Sequence, residues 1–462
     1  MTTPSLQDGI SAAGSVMKLL WRPGAPGFTV PVVPPEFSGW RQEQASWRNT
    51  AAFMNQSFHM RQIWVEGPDA RRLLSEISVN DYQDFELGRA KQFVPITPSG
   101  HLITDAIVMR WDHQKWVISG VAAAETWVRY HAAGGRYEVS YLTDPNSGNR
   151  FAEPNYASPG MAAPGQEPIL FRYQIQGPAA LRIVERALGG PAPAVRFFHS
   201  APVKVAGRSC RALRHGMAGM PGFEFIGYYQ HAEAVKHAFL EAGADLGIVE
   251  VGGLAYFTGG VESGWVPIPT PGIYTGEELS EYRRYVGLYS YEGQAPLHGS
   301  FYSENVEDYY VTPYEIGYGK AVSFDHQFIG KQALLEHREH LRRVKVTLRW
   351  EPEDFRDVVD RDMGFFYTHT RDVLEFDGRA VGYSLNAAYI AEEGTVIGLA
   401  FVDPRFSAPG TELKLYWGEH PGPGTDSGIY RDFPQIRVKV VPTPYNSYAR
   451  TEYRRDPAFG AA

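Results

Sequence analysis

Apolar and polar positions change rhythm along this chain, and each change marks an element. In IWVEGPDARRLLSEIS an apolar strand pattern gives way at Gly67-Pro68 to a helical one. Proline suits a first helical turn, where its missing N–H costs nothing. The pattern recurs in YQIQGPAALRIVERALGG, where Gly177-Pro178 opens a helix and Gly189 ends it. Between the copies the spacing predicts strands at 93–96, 102–109 and 116–119, then a helix over 122–133 stopped by Gly134-Gly135. In LITDAIVM a period of two sets Ile103, Asp105 and Ile107 on one face, so Asp105 is an acid among β-branched neighbours. That reading competes evenly with a strand-edge Asp that caps a turn. HAEAVKHAFLEAGADLG reads as an amphipathic helix with its stop at Gly243. From Arg343 onward, short alternating segments (RVKVTLRW, AVGYSLNA, VIGLAFV, ELKLYWG, IRVKVV) between turn clusters predict an all-β region.

Three stretches break these rhythms. Residues 1–38, rich in Gly and Pro, read as an arm after a short helix, and 144–166 read as a loop or linker. Residues 248–318 hold many tyrosines with little regular pattern, which reads as pocket wall. In LRHGMAGMPGFEFIGYY, Gly216, Gly219 and Gly222 allow a sharp turn and a close approach. Glu224 is then the only charge in the strand that follows, and a buried carboxylate needs a partner. A ligand with a paired N–H and NH2 edge, such as a pterin, would supply one. A Gly-rich hairpin with an outward Glu is the plainer alternative.

Composition narrows the class. A chain of 462 residues predicts two or three domains, and 44% hydrophobic with 13% aromatic residues supports packed cores and aromatic pockets. A net charge of −8 without a basic run disfavours nucleic acid. Cys210 is the only cysteine, which excludes a disulfide framework and a cysteine-built metal site and suits a reducing cytoplasm. No signal-peptide core and no run of about 18 apolar residues is visible, so no membrane partner is expected. There is no GxSxG elbow, no phosphate loop and no HExxH. GYGKAV at Gly317 lacks the last glycine of a dinucleotide fingerprint. His337 and His340 in HREH read as a solvated helix face, so no metal is expected.

GHLITDAIV, YQIQGP, RHGMAGMPGFEF, Glu262-Ser263-Gly264 and TPYEIGYGKAVSFDHQFIGKQAL resemble, in order and spacing, the glycine-cleavage T-protein (aminomethyltransferase) superfamily. PVVPPEFSGWRQEQ, NQSFHM, KQFVPITPSGH, VESGWVPIPTPGIYTGEELSEYR and NVEDYYVTPYEIGYG are similar to its tetrahydrofolate-dependent aryl methyl ether O-demethylases. The resemblance covers nearly the whole chain. It implies an α+β, three-domain folate-binding fold: a core over 1–335 of two interleaved subdomains, then a barrel-like or jelly-roll-like β-domain over 336–462.

The same resemblance implies site roles. Glu224 would hold the pterin edge, Asp105 would lie near the reactive part of the folate, and Gln92 and Trp265 would line its cavity. Tyr256 would act on the departing oxygen, with His59 in the substrate pocket. Two positions depart from the vanillate type: Val121 stands for an arginine that meets the substrate carboxylate, and Val30 for a tyrosine. The implied substrate is therefore a methoxy-aromatic of another pattern, an ortho-methoxybenzoate such as dicamba or a neutral methoxyphenol, with tetrahydrofolate as methyl acceptor. A vanillate or syringate substrate, transfer from an amine or sulfonium, and folate binding without catalysis are the alternatives.

Overall fold

In the computed structural model, which describes residues 4–25, 30, 32–144 and 167–459, the two Gly-Pro turns each follow a strand of a different sheet. Strand Arg61–Glu66 leads into helix Ala70–Glu76, and strand Leu170–Gln176 into helix Ala180–Leu188. Both glycines are forced. Gly67 (φ +144°) and Gly177 (φ +132°) pass so close to another segment that a Cβ would lie 2.3 Å from the Glu138 carbonyl oxygen and 2.6 Å from that of Thr50.

Arg61–Glu66 belongs to a five-stranded antiparallel sheet, in the order Ala90–Phe93, Ala106–Asp112, Lys115–Gly120, Arg61–Glu66, Ser140–Thr143. Leu170–Gln176 belongs to a six-stranded sheet, in the order Ile248–Val251, Ala51–Asn55, Leu170–Gln176, Gly222–Tyr228, Arg208–Leu213, Ser200–Val205. In it Ala51–Asn55 runs parallel to Ile248–Val251. Trp64, Ile107 and Val117 of the first sheet pack with Leu170, Leu213 and Ile226 of the second in one apolar cluster. Burial of these side chains is the main force holding the sheets together. The chain passes from one sheet to the other through residues 56–60, between Ala51–Asn55 and Arg61–Glu66.

The C-terminal strands close a six-stranded antiparallel barrel: Val344–Trp350, Thr395–Val402, Arg379–Ile390, Val373–Phe376, Glu412–Tyr416 and Gln435–Val441. Closure requires Arg379–Ile390 to pair on both sides, and its register shifts between Leu385 and Ala387. Asn386 sits at that shift with φ +61°, the bend a shared strand needs. The last strand shows the alternation, with Ile436, Val438 and Val440 inward and Gln435, Arg437 and Lys439 exposed. Long-range polar contacts tie the barrel to the N-terminal part. Gln44 donates to the Tyr389 carbonyl (3.0 Å) and accepts from the Ala391 N–H (2.7 Å), and Trp21 Nε1 donates to the His420 carbonyl (2.9 Å).

Several sequence expectations shift. The strand expected at 93–96 is Ala90–Phe93, and that expected at 102–109 begins at Ala106. The arm before residue 38 carries two short helices, Leu6–Ala13 and Val16–Leu20. The helix Ala232–Gly243 continues as a 3-10 turn and stops at Gly247 (φ +71°), while Gly243 is a packing position whose Cβ would lie 2.7 Å from Ile248. His340 is exposed and His337 is half-buried, its Nε2 bonding the Ser99 carbonyl (2.9 Å) and its ring 5.0 Å from that of His101. Of the linker expected at 144–166, residues 145–166 lie outside the described residues. Asp144 is fully buried and accepts from the Ile169 N–H (2.7 Å).

Gly222 has φ +149°, and a Cβ there would fall 1.9 Å from the Ile175 carbonyl oxygen. Gly222→Ala is expected to destabilise the fold by about 2–4 kcal/mol. Gly190→Ala, where a Cβ meets nothing within 4 Å, is expected to stay within about 0.5 kcal/mol. Urea denaturation midpoints check both, and equal midpoints would refute the close-approach account.

Candidate functional site

The seam between the sheets sets the first cluster. The Gln56 N–H donates to the Arg172 carbonyl (2.8 Å), and Ser57 Oγ accepts from the Arg172 N–H (3.0 Å). These bonds fix the 56–60 loop against the second sheet. Opposite it runs helix Gly253–Ser263, where the sequence predicted little regular structure. Gly259 and Gly260 depress helix propensity, and a Cβ at either would make ordinary contact, 3.4 Å from Ala218 or Trp265. Glu43 Oε2 accepts from the Gly252 N–H (2.8 Å), placing a buried carboxylate at the helix's positive end.

Tyr256, in the first turn of that helix, meets the loop. Its hydroxyl accepts from Gln56 Nε2 (2.7 Å) and lies 2.9 Å from His59 Nε2. Burial raises the Tyr256 phenol well above its ordinary range. Burial, and then the charge of Arg172, lower His59 to about 3, so the imidazole is neutral.

A second cluster surrounds Asp105, which precedes strand Ala106–Asp112 and is buried. Its Oδ2 accepts from Tyr318 OH (2.7 Å), Gln92 Nε2 (2.9 Å) and Trp265 Nε1 (3.1 Å), while its buried Oδ1 has no partner. Burial raises the Asp105 carboxyl and the three donors oppose that rise. Lys345 also faces the cavity, donates to the Gly264 carbonyl (2.6 Å) and is brought down to about 8 by burial.

The structure brings His59, Gln92, Asp105, Val121, Tyr256 and Trp265 together around one cavity of about 890 Å³. Glu224 and Val30 are not among its lining residues. Glu224 is 1% exposed and ion-paired to Arg172, with Gln174 Nε2 at 3.3 Å. It is neither outward nor short of a partner: Arg172 does what the sequence reading gave to a ligand. Val30 packs against Gly253. Of the glycines expected to approach a flat ligand, Gly216 and Gly219 line the cavity. A Cβ at Gly216 would overlap the Gln176 amide nitrogen at 1.1 Å, so that side chain would have to move.

Sequence reasoning missed Gln56, Tyr318, Lys345 and Arg371. Gln56 and Tyr318 lie inside strings already noted, NQSFHM and GYGKAV, so the signal was there. Lys345 and Arg371 come from the barrel region and carried none. No group of three or more His, Cys, Asp or Glu suited to a metal occurs among the described residues. Among them, no helix is long and apolar enough to cross a membrane.

The cavity suits a flat, polar-edged ligand together with a small aromatic one. Its volume is that of a large ligand site, and Asp105 Oδ1 is a buried acceptor left open for a donor. Residues 24–148 and 169–268 match the GCVT N-terminal domain. The chain is 38% identical to syringate O-demethylase of Sphingobium sp. (strain NBRC 103272 / SYK-6), over 97% of each chain. It is 28% identical to sesamin methylene transferase of Sinomonas sp. (strain No.22), over 89% of this chain and 90% of that one. The glycine cleavage system aminomethyltransferase T from Bartonella henselae shares the fold, with a TM-score of 0.61 at 18% identity over 93% and 96% of the two chains. On these grounds the chain belongs to the glycine-cleavage T-protein superfamily, beside its tetrahydrofolate-dependent O-demethylases, and is a methyltransferase whose acceptor is tetrahydrofolate.

Proposed function

We propose that the protein demethylates an aryl methyl ether, breaking the methyl–oxygen bond and releasing the phenol. The observation that carries this reading is the Tyr256 hydroxyl, buried beside the cavity with nitrogen donors on its oxygen. Tetrahydrofolate, when bound, supplies the N5 lone pair that takes the methyl group.

The aryl oxygen keeps the electron pair of the broken bond and leaves as a phenolate, which is poor unless a donor meets it. Tyr256 can be that donor. If His59 carried its proton on Nδ1, that buried N–H would face no acceptor, since Nδ1 has no partner. With the proton on Nε2, His59 donates to Tyr256 alongside Gln56, and the phenol O–H is free to turn to the ether oxygen. Two donors on the phenol oxygen also make that O–H a stronger donor. N5 must lose a proton after accepting the methyl, and Asp105 Oδ1 is a buried acceptor for it, directly or through water. Gln92, Trp265 and Tyr318 hold the Asp105 carboxylate in place meanwhile. Glu224, steadied by Arg172, is assigned to the pterin end through Gln174, whose Oε1 accepts from the N–H of cavity-lining Met217 (2.9 Å).

For the substrate, the finer reading is an ortho-methoxybenzoate of the dicamba type. Val121 presents an apolar wall, chlorines suit such a wall, and they make the phenolate a better leaving group. The 38% identity to syringate O-demethylase favours a syringate-like acid as the second reading.

Anaerobic incubation with tetrahydrofolate and a panel of methoxybenzoates and methoxyphenols is expected to give 5-methyltetrahydrofolate and phenol in equal amounts. Tyr256→Phe is expected to lower kcat by about 100- to 1000-fold. Failure to form either product from any aryl ether would sink the reading. Turnover confined to syringate would decide for the second substrate.

The pH dependence follows from His59. Its lowered pKa means protonation only near pH 3, far below the ordinary value of about 6.5, so its charge is constant across neutral pH. The kcat/KM profile is expected to show no limb near pH 6.5 that belongs to this residue. A limb there that disappears in His59→Gln would overturn the neutral-donor assignment.

A further inference from the structure

Of the charged residues on the cavity wall that the chemistry above does not use, Glu315 lies 3.7 Å from Arg343, Lys345 donates to the Gly264 carbonyl and Arg454 is exposed. Arg371, by contrast, is buried with no paired carboxylate among the described residues. Arg371 lies between strands Tyr367–Thr368 and Val373–Phe376 and is 4% exposed. Its backbone is pinned on both sides. The Arg371 N–H donates to the His298 carbonyl (2.9 Å), and its own carbonyl accepts from the Phe301 N–H (2.8 Å). Gly299 crosses at φ +113°, where a Cβ would lie 2.4 Å from the Arg371 carbonyl oxygen.

The guanidinium is far less well served than the backbone. Nη1 makes only long contacts, to the carbonyls of Pro296 (3.4 Å) and His369 (3.3 Å), and Nη2 lies 3.2 Å from Thr270 Oγ1. Among the described residues no carboxylate forms an ion pair with it. Its charged-group neighbours are the phenols Tyr274, Tyr291, Tyr309 and Tyr383, all pushed up by burial, and the His369 imidazole, brought down to about 3 by burial and by Arg371 itself. A buried cation with neutral neighbours is costly unless an anion joins it. Guanidinium also matches a carboxylate in a planar, two-pronged way that no other side chain offers.

We propose that Arg371 is the anion receptor of this cavity and receives the carboxylate of a methoxy-aromatic acid, an assignment that rests on the proposed demethylation. The wall between the two groups is continuous. Tyr367 stacks on Phe257 (5.3 Å, 19°), next to Tyr256, and meets His369 edge to face (4.8 Å, 83°), two residues before Arg371. Val121, Pro269 and Pro296 line the same cavity and give a flat ring apolar contact. The glutamyl tail of a folate also carries carboxylates, but on a long flexible chain, and Arg371 is buried. A single carboxylate on a small ring fits that enclosure.

The test changes the ligand before the protein. Wild-type enzyme with tetrahydrofolate is given a methoxybenzoate and its primary carboxamide. The acid is expected to show roughly a hundredfold higher kcat/KM, mostly through KM, and Arg371→Gln is expected to bring the ratio near one. Equal values for acid and amide in the wild type would overturn the proposal, and that comparison stands even if the variant does not fold. If Arg371→Gln raised the KM for tetrahydrofolate while keeping the acid preference, the glutamyl tail would be the partner and the proposal would fall. Should no aryl ether be demethylated, the proposed reaction fails separately. A methoxybenzoate that raises the Tm of the wild type and not of Arg371→Gln would still support the receptor, and no rise in either would overturn it.

Discussion

A charge taken out of water without an opposite charge has to be held by dipoles, and the cavity of this protein is arranged around groups of that kind. Asp105 meets an amide, an indole and a phenol on one oxygen. Lys345 leans on a carbonyl, and Arg371 on two carbonyls and a hydroxyl. Arg172–Glu224 and Arg48–Glu262 are paired directly and do not line the cavity, whereas Glu315, which does, lies 3.7 Å from Arg343. Direct pairing neutralises and locks, whereas dipolar support leaves the charge able to act on a ligand.

The elements most legible in the sequence were those decided locally. Gly67-Pro68 and Gly177-Pro178 announce their turns because φ and the missing N–H are properties of those residues alone. The barrel strands were legible through alternation, as at Ile436, Val438 and Val440. The helix carrying Tyr256 was not, because Gly259 and Gly260 read as loop residues. Lys345 was hidden by the rule that a lysine in an alternating strand faces water. Arg172 lies 52 residues from Glu224, and nothing between them signals the pairing.

Of the site itself, the sequence named most of the cavity residues by resemblance and the geometry then sorted them. Six of them meet around one space, whereas Glu224 stands outside its lining with a partner of its own and Val30 packs on a helix. What resemblance could not supply was the orientation of Tyr256. That depends on Gln56, on His59, on a seam between two sheets and on a carboxylate at a helix start.

The closed barrel has a bearing on one wall of the cavity. Tyr367 and Thr368 pair with a strand that is laddered on both sides, and the Arg371 backbone is bonded to His298 and Phe301. Tyr256, His59 and Asp105 lie in a separate part of the chain, before residue 344. Substitutions at His369 or Arg371 therefore change one wall of the cavity without altering the residues around Tyr256 and Asp105.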